Sequence, residues 1–479
     1  MGTIMVRSPA RSGVRTLSRA AAVVILLSMS VGGVPGIAAA ATPGSQQWVK
    51  RYNGPANLDD YGGALGVSPD GSTVFVAGTS NVSEGSSDYT TAAYDASTGA
   101  TLWVKRYTGP RNSVDNAVAL GVSPDGSRVF VTGSSLESGG SSDYATVAYD
   151  ALSGDELWVK RYNGAANLND FAIALEVNPD GSGVFVAGRS SSTTDDDYAT
   201  VAYDAITGAR LWAKRYHGRA GGSDSANALG VSADGSQVFV TGTSVGSGNF
   251  TDYATVAYDA VTGAKLWSKR HDGSQHGPDE AQNLGVSPDG SQVFVTGISF
   301  GFRYYNYATL AYDAATGARL WSKRYTGPGN ASDFAYALGV SPDGSTVFVT
   351  GGSNGATSFW DYVTLAYDTS TGAELWVKRY NGAANSLDIA YSLAVSPDGS
   401  EVFVTGVSLG SASDYDYATV AYDVTVGTKL WAKRYNGPGN AYDQANAVGV
   451  SPDGSTVFVT GQSAGSTNDD YATVAYGIT

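Results

Sequence analysis

Residues 144–162 read YATVAYDALSGDELWVKRY. Two runs rich in β-branched and aromatic residues, YATVAY and LWVKRY, flank a turn that passes through Asp150 and Gly154, the pattern of two short strands joined by a reverse turn. The phrase recurs along the chain, keyed by Trp48, Trp103, Trp158, Trp212, Trp267, Trp321, Trp376 and Trp431 at intervals of 54 or 55 residues; only Trp360 stands outside the series. A period of that length marks a repeat architecture, because one such unit cannot bury its own apolar face.

Two more strands complete each unit. In the second copy, AVALGV (residues 117–122) precedes the turn Ser123-Pro124-Asp125-Gly126, and VFVTG (residues 129–133) follows it, before a polar loop leads into YATVAY. Four short antiparallel strands repeated radially predict an all-β fold, an eight-bladed β-propeller with four-stranded blades. The ends support a closed ring over an open solenoid. The repeat region begins with a lone fourth strand at Trp48 and finishes with strands one to three of the last copy, ending near Tyr476. The N-terminal strand therefore completes the last blade, which removes two open sheet edges.

The first 41 residues stand outside this pattern. Arg7, Arg11, Arg15 and Arg19 form a basic lead without acids, an apolar run covers residues 20–31, and a small-residue segment ends at Ala41. This is the layout of a secretory signal peptide, leaving a propeller domain over residues 42–479 and a secreted or extracytoplasmic location. No other stretch is apolar and long enough to span a bilayer, so no membrane span is expected after cleavage. Loss of four of the 29 basic residues leaves 25 against 44 acidic, a net of −19. That charge repels nucleic acid and anionic lipid. The absence of cysteine excludes disulfides, thiolate metal sites and thiol nucleophiles.

The segment Ala202-Tyr203-Asp204-Ala205-Ile206-Thr207-Gly208-Ala209-Arg210-Leu211-Trp212 resembles the tryptophan-docking repeat of the pyrroloquinoline-quinone (PQQ) propellers, Ala-x-Asp-x-x-Thr-Gly-x-x-x-Trp. Ser153 replaces the Thr in one copy and Val426 in another. Tyr325-Thr326-Gly327, through Asp333, to Val349-Thr350-Gly351 is similar to bacterial secreted β-propeller repeats. The resemblance implies that each repeat Trp lies between neighbouring blades. It also implies an alternative activity, PQQ-dependent oxidation of an alcohol or sugar, in which the quinone sits over the channel between a Trp and a vicinal disulfide with Ca²⁺ held by Glu, Asn and Asp.

Positions alike in every copy serve the blade, and positions that differ are where a particular function can sit. Asp60, Asp115, Asp170, Asp224, Asp279, Asp333, Asp388 and Asp443 precede the first strands and are expected to ring the channel mouth, accepting backbone N–H bonds at their turns. A second acidic series, Asp88 to Asp470, precedes the third strands, with Asn306 breaking it. The Lys-Arg pairs on the fourth strands read as charges that keep sheet edges apart. The loops between second and third strands vary most. There Phe250, Phe300, Phe302, Arg303, Tyr304, Tyr305, Phe359, Trp360 and Tyr415 form a candidate ligand-binding set, since exposed aromatics with an arginine suit stacking and protein hot spots.

No catalytic constellation is present. There is no Ser-His-Asp or metalloprotease pattern, the copies differ in length by one residue, and the vicinal disulfide of the quinone site is impossible without cysteine. His217, His271 and His276 fit no tight metal-ligand motif. The sequence therefore predicts a monomeric, non-catalytic binding or scaffold propeller with no cofactor or metal, engaging a protein or glycan through one face.

Overall fold

A computed structural model describes residues 42–478 apart from 138, 219–220, 247 and 411–413. The proposed signal peptide, residues 1–41, lies outside the described residues. The described chain forms 32 strands in eight four-stranded antiparallel sheets, each a simple meander except the last. Blades 1 to 7 begin at Asp60, Asp115, Asp170, Asp224, Asp279, Asp333 and Asp388. Blade 8 begins at Asp443 and takes its fourth strand from the other end of the chain: β1 (Gln46–Tyr52) pairs with β32 (Asp469–Gly477), Trp48 opposite Ala475 and Tyr52 opposite Tyr471. The ring is closed. Among the described residues no helix is long and apolar enough to cross a membrane.

Burial along each blade follows from radial packing. First strands of adjacent blades contact one another around the axis. Third strands are buried on both faces, as in Ser142–Asp150, because each is sandwiched between two neighbouring sheets. Fourth strands are outermost and bury little more than their Trp and final Tyr, as in Glu156–Tyr162.

The tryptophans join the blades. Trp48, Trp103, Trp158, Trp212, Trp267, Trp321 and Trp376 each donate Nε1–H to a carbonyl in the next blade's third turn, at 2.7–3.2 Å. Trp103 packs against Phe75 of its own blade and Tyr149 of the next. Gly154 of that next turn has φ +69°, and a Cβ there would lie 2.7 Å from Cδ2 of Trp103. The Thr-Gly or Ser-Gly of the repeat is thus a seat for the preceding blade's indole as well as a left-handed turn. Burying one such ring contributes about 4–6 kcal/mol as an upper bound. The third-strand tyrosines add a second inter-blade tie: Tyr89, Tyr144, Tyr198, Tyr253, Tyr362 and Tyr417 donate to carbonyls of the next blade at 3.0–3.2 Å.

Candidate functional site

Strand direction places the blade-to-blade connections and the loops between second and third strands on one face. The eight first-strand aspartates begin their strands there, yet all are buried, at most 1% exposed. In each, Oδ2 accepts the N–H of the glycine six residues earlier, from Gly54 to Asp60 through Gly437 to Asp443, at 2.5–2.7 Å. Such carboxylates close turns. Burial raises their pKa against these hydrogen bonds, to about 6 for Asp60 and Asp388.

The arginines of the Lys-Arg pairs turn inward instead of standing off the sheet edge. Arg379 donates Nε and Nη2 to Oδ2 of Asp361 at 3.0 and 2.8 Å, Nη2 to the Ser353 carbonyl at 2.7 Å, and Nη1 to the Tyr325 hydroxyl of the preceding blade at 3.3 Å. Equivalent pairs join Arg51 to Asp470, Arg106 to Asp88, Arg161 to Asp143, Arg215 to Asp197, Arg270 to Asp252 and Arg434 to Asp416. The second acidic series is therefore the partner of these arginines. In blade 5, Asn306 takes the Asp position, and its amide, oriented to satisfy both neighbours, accepts from Arg324 and donates to Thr326.

These titrations set a pH optimum for stability. Burial holds Asp60, Asp143 and Asp388 at about 6, above the ordinary carboxylate value, so the native state binds protons more readily than the unfolded chain between about pH 4 and 6. Their contribution falls as pH rises through that window. The turn aspartates of the Ser-Pro-Asp-Gly segments, such as Asp125 and Asp343, are held low first by hydrogen bonds from Ser123 and Ser341, and their contribution is lost below about pH 4. The denaturant midpoint at constant ionic strength is expected to be highest near about pH 4 and to fall between about pH 4 and 6; a midpoint rising steadily from pH 5 to 8 would overturn this assignment.

The variable loops divide the nine candidate binding residues into two sets. Phe302 is 85% exposed, Phe359 55%, Phe250 48% and Tyr304 38%, and Arg303 is exposed beside them. Phe302, Arg303 and Tyr304 occupy a tight turn closed by the Gly301 N–H on the Tyr304 carbonyl, 2.7 Å. Phe300, Tyr305, Trp360 and Tyr415 are half-buried. Phe300 meets Tyr305 edge-on, Tyr305 leans on Phe334 of blade 6, and Phe334 stacks on Trp360 at 4.9 Å and 10°. Trp360 lies over Gly352, where a Cβ would come within 2.7 Å of its ring, and packs with Ile389 and Tyr391 of blade 7. Tyr415 meets Tyr442, in the connection leading into blade 8, at 5.5 Å. Phe250 joins none of these ring contacts among the described residues.

Several residues of this face were not singled out from the sequence. The second residue of the first strand runs Tyr61, Asn116, Phe171, Ser225, Glu280, Phe334, Ile389 and Gln444 through the eight blades. The fourth, which sits in a β-bulge in every blade, includes Tyr336 and Tyr391. Their signal lay in the differences between copies immediately after the constant aspartate. Tyr336 and Tyr391 meet at 5.6 Å, so the aromatic track continues from blade 5 through blade 7.

Two groups of acids and histidine come together. His217 Nδ1 lies 2.7 Å from Asp197 Oδ1 and 4.0 Å from Asp195 Oδ2, and Asp252, Asp272 and Asp279 form the other group. Each is engaged internally: Arg215 on Asp197, Arg270 on Asp252, His276 on Asp272 and the Gly273 N–H on Asp279. A cavity of about 250 Å³ opens on the opposite face, between the turns of blades 4 and 5, where Asp234 and Asp289 accept from their own turn serines.

A closed ring of eight blades, bound by docked tryptophans, defines a propeller of the PQQ-like repeat class. A family profile described as outer membrane protein assembly factor BamB matches residues 36–296, 175–362 and 306–468, and the chain belongs to that family. No match to a curated protein sequence is found. Among solved structures, Sqt1 of Chaetomium thermophilum bound to the N-terminus of the ribosomal protein L10 is similar at 13% identity, covering 90% of this chain and all of that one, TM-score 0.59. BamB of Moraxella catarrhalis is similar at 15% identity over 90% and 99% of the two chains, TM-score 0.52. A europium-containing methanol dehydrogenase is similar at 13% over 90% and 93%, TM-score 0.55. At these identities the likeness is one of fold.

The quinone site of PQQ dehydrogenases does not fit these residues. The chain has no cysteine for a vicinal disulfide. The one Trp of this face, Trp360, is already stacked on Phe334 and packed against blade 7, so its ring is committed within the protein.

Proposed function

We propose that the chain is an exported, non-catalytic binding module that engages a protein or glycan through the face carrying the loops between second and third strands. The carrying observation is the division of that face: a rigid aromatic track held within blades 5 to 8, rimmed by Phe302, Tyr304 and Phe359, which project outward. Large rings presented on fixed strands bind at low entropic cost, since little is ordered on association. The eight constant aspartates and their arginine-paired counterparts hold the blades, leaving the one-off residues to recognise the partner. Export agrees with the basic-then-apolar amino terminus and the absence of cysteine. Fold likeness to a ribosomal-protein-binding propeller and to BamB suits a binding role.

The test is the variant Phe250→Ala/Phe302→Ala/Phe359→Ala, which removes exposed rings and leaves the packed Tyr305 and Trp360 in place. A partner captured by the wild-type chain, from a cell-envelope extract or a glycan panel, is expected to be lost at an unchanged melting temperature. Full retention would remove the face assignment. Dye-linked oxidation of alcohols or sugars after adding PQQ and Ca²⁺ would replace the binding reading with the enzymatic one.

A further inference from the structure

The acids of this face that recur from blade to blade have partners within the protein, whereas Glu280, which occurs in one copy, is half-buried without a counter-charge among the described residues. The third-strand aspartates carry arginines, and the first-strand aspartates carry glycine N–H donors. Glu280 is the only acid at the second position of a first strand. It is half-buried beside Ala281 and opposite Ile298, and among the described residues no Lys, Arg or His pairs with it. The Gln282 amide lies 3.4 Å from its carboxylate, too long for a strong hydrogen bond. The Tyr305 and Tyr336 phenols lie within its field, which adds to the upward push of burial on both.

Blade 3 shows what this position can do when a cation is supplied from inside. There Phe171 stands at the second position, and the Arg189 guanidinium lies over its ring at 4.5 Å while reaching Asp196 at 3.5 Å. Ring, cation and carboxylate form one unit. At the junction of blades 5 and 6 the rings of Tyr305, Phe334 and Tyr336 and the carboxylate of Glu280 are present, and the residue paired with Glu280 is Ile298 where blade 3 has Arg189. A charge held away from water without a counter-charge lowers stability, which a cation from a partner would relieve. The chain's own net charge of −15 favours approach by a basic segment.

We propose that this face binds a basic protein segment, with one arginine or lysine side chain seated on Glu280 against the rings of Tyr305 and Tyr336. The inference rests on the binding-face reading above and selects, between protein and glycan, a cationic polypeptide.

The experiment titrates the full chain with hexa-arginine and hexa-lysine at about 0.1 M salt, where long-range attraction is largely screened, with hexaglutamate and cellohexaose as comparison probes. Calorimetry reads affinity. Hexa-arginine is expected to bind saturably, and Glu280→Gln to weaken it about tenfold or more. Glu84→Gln, an exposed acid on the same face, is expected to change it by less than about twofold. Glu280→Gln keeps size and shape, so its melting temperature at pH 7 is expected to equal or exceed that of the wild type. Equal losses in the two variants would reduce the effect to diffuse charge and overturn the proposal. Binding of cellohexaose but not of the cationic peptides, lost in Phe250→Ala/Phe302→Ala/Phe359→Ala, would overturn the cationic partner while leaving the face intact. Hexa-arginine binding unaffected by Glu280→Gln but lost in that triple variant would overturn the Glu280 seat alone.

Discussion

Deletion of the strand Gln46–Tyr52 is expected to open the ring and lower the melting temperature by about 10 °C, with loss of a single cooperative transition. That strand supplies the whole outer edge of blade 8, in register from Trp48 opposite Ala475 to Tyr52 opposite Tyr471. Its Trp48 is buried between blades 8 and 1, packed against Phe458 and Tyr94 and hydrogen-bonded to the Ala96 carbonyl. Arg51 leaves with it, stranding Asp470 and the Ser463 carbonyl. Indole burial, a broken ion pair and a lost ladder together amount to a loss on the order of 10 kcal/mol. At about 2 cal/mol/K of unfolding entropy per residue, that corresponds to about 10 °C for a chain of this length. The remaining strand Asp469–Gly477 becomes an open edge, so concentration-dependent association is also expected. A synthetic peptide of residues 46–52 added in trans should restore part of the lost stability. Calorimetry checks both, and an unchanged transition would mean that the ring does not depend on its closing strand.

Arg379→Ala is expected to cost about 3–5 kcal/mol, whereas Asp361→Asn costs less than about 1 kcal/mol. The asymmetry follows from what each change strands. Without the guanidinium, buried Asp361 loses both charged donors, and the Ser353 carbonyl and Tyr325 hydroxyl of two blades lose their shared partner. With Asn in place of Asp, the guanidinium keeps its carbonyl and hydroxyl acceptors and gains an amide oxygen. Blade 5 already has this arrangement, with Asn306 facing Arg324. Arg379→Lys should resemble the alanine variant more than the wild type, because a single ammonium cannot span three acceptors on two blades. Denaturant midpoints of the three variants check this. Equal losses for Arg379→Ala and Asp361→Asn would mean that the ion pair alone, and not the guanidinium's span, carries the contribution.

Both predictions concern groups that the sequence marked by repetition without revealing their contacts. The Lys-Arg pairs were legible as a series on the fourth strands. Their inward turn was not, because strand alternation tells which face a side chain takes but not that a long guanidinium folds back over the sheet to reach Asp on the adjacent strand and Ser two strands away. The first-strand aspartates were legible as turn acceptors, but their burial was not. The aromatic loops were legible as irregularities among copies. That Trp360 and Tyr305 are packed, while Phe302 and Phe359 project, depends on Phe334, remote in sequence from both loops, and on Gly352, which leaves room for the Trp360 ring across its own hairpin.

The sequence by itself determined the number of blades, the strands in each and the closure of the ring. These follow from a period, local turn chemistry and complementary ends, all properties of short segments. Only the tertiary structure decided which charges are satisfied and which rings remain free. Those outcomes depend on side chains meeting across strands and blades, as Arg379 meets Asp361 within its own blade and Tyr325 of the preceding one.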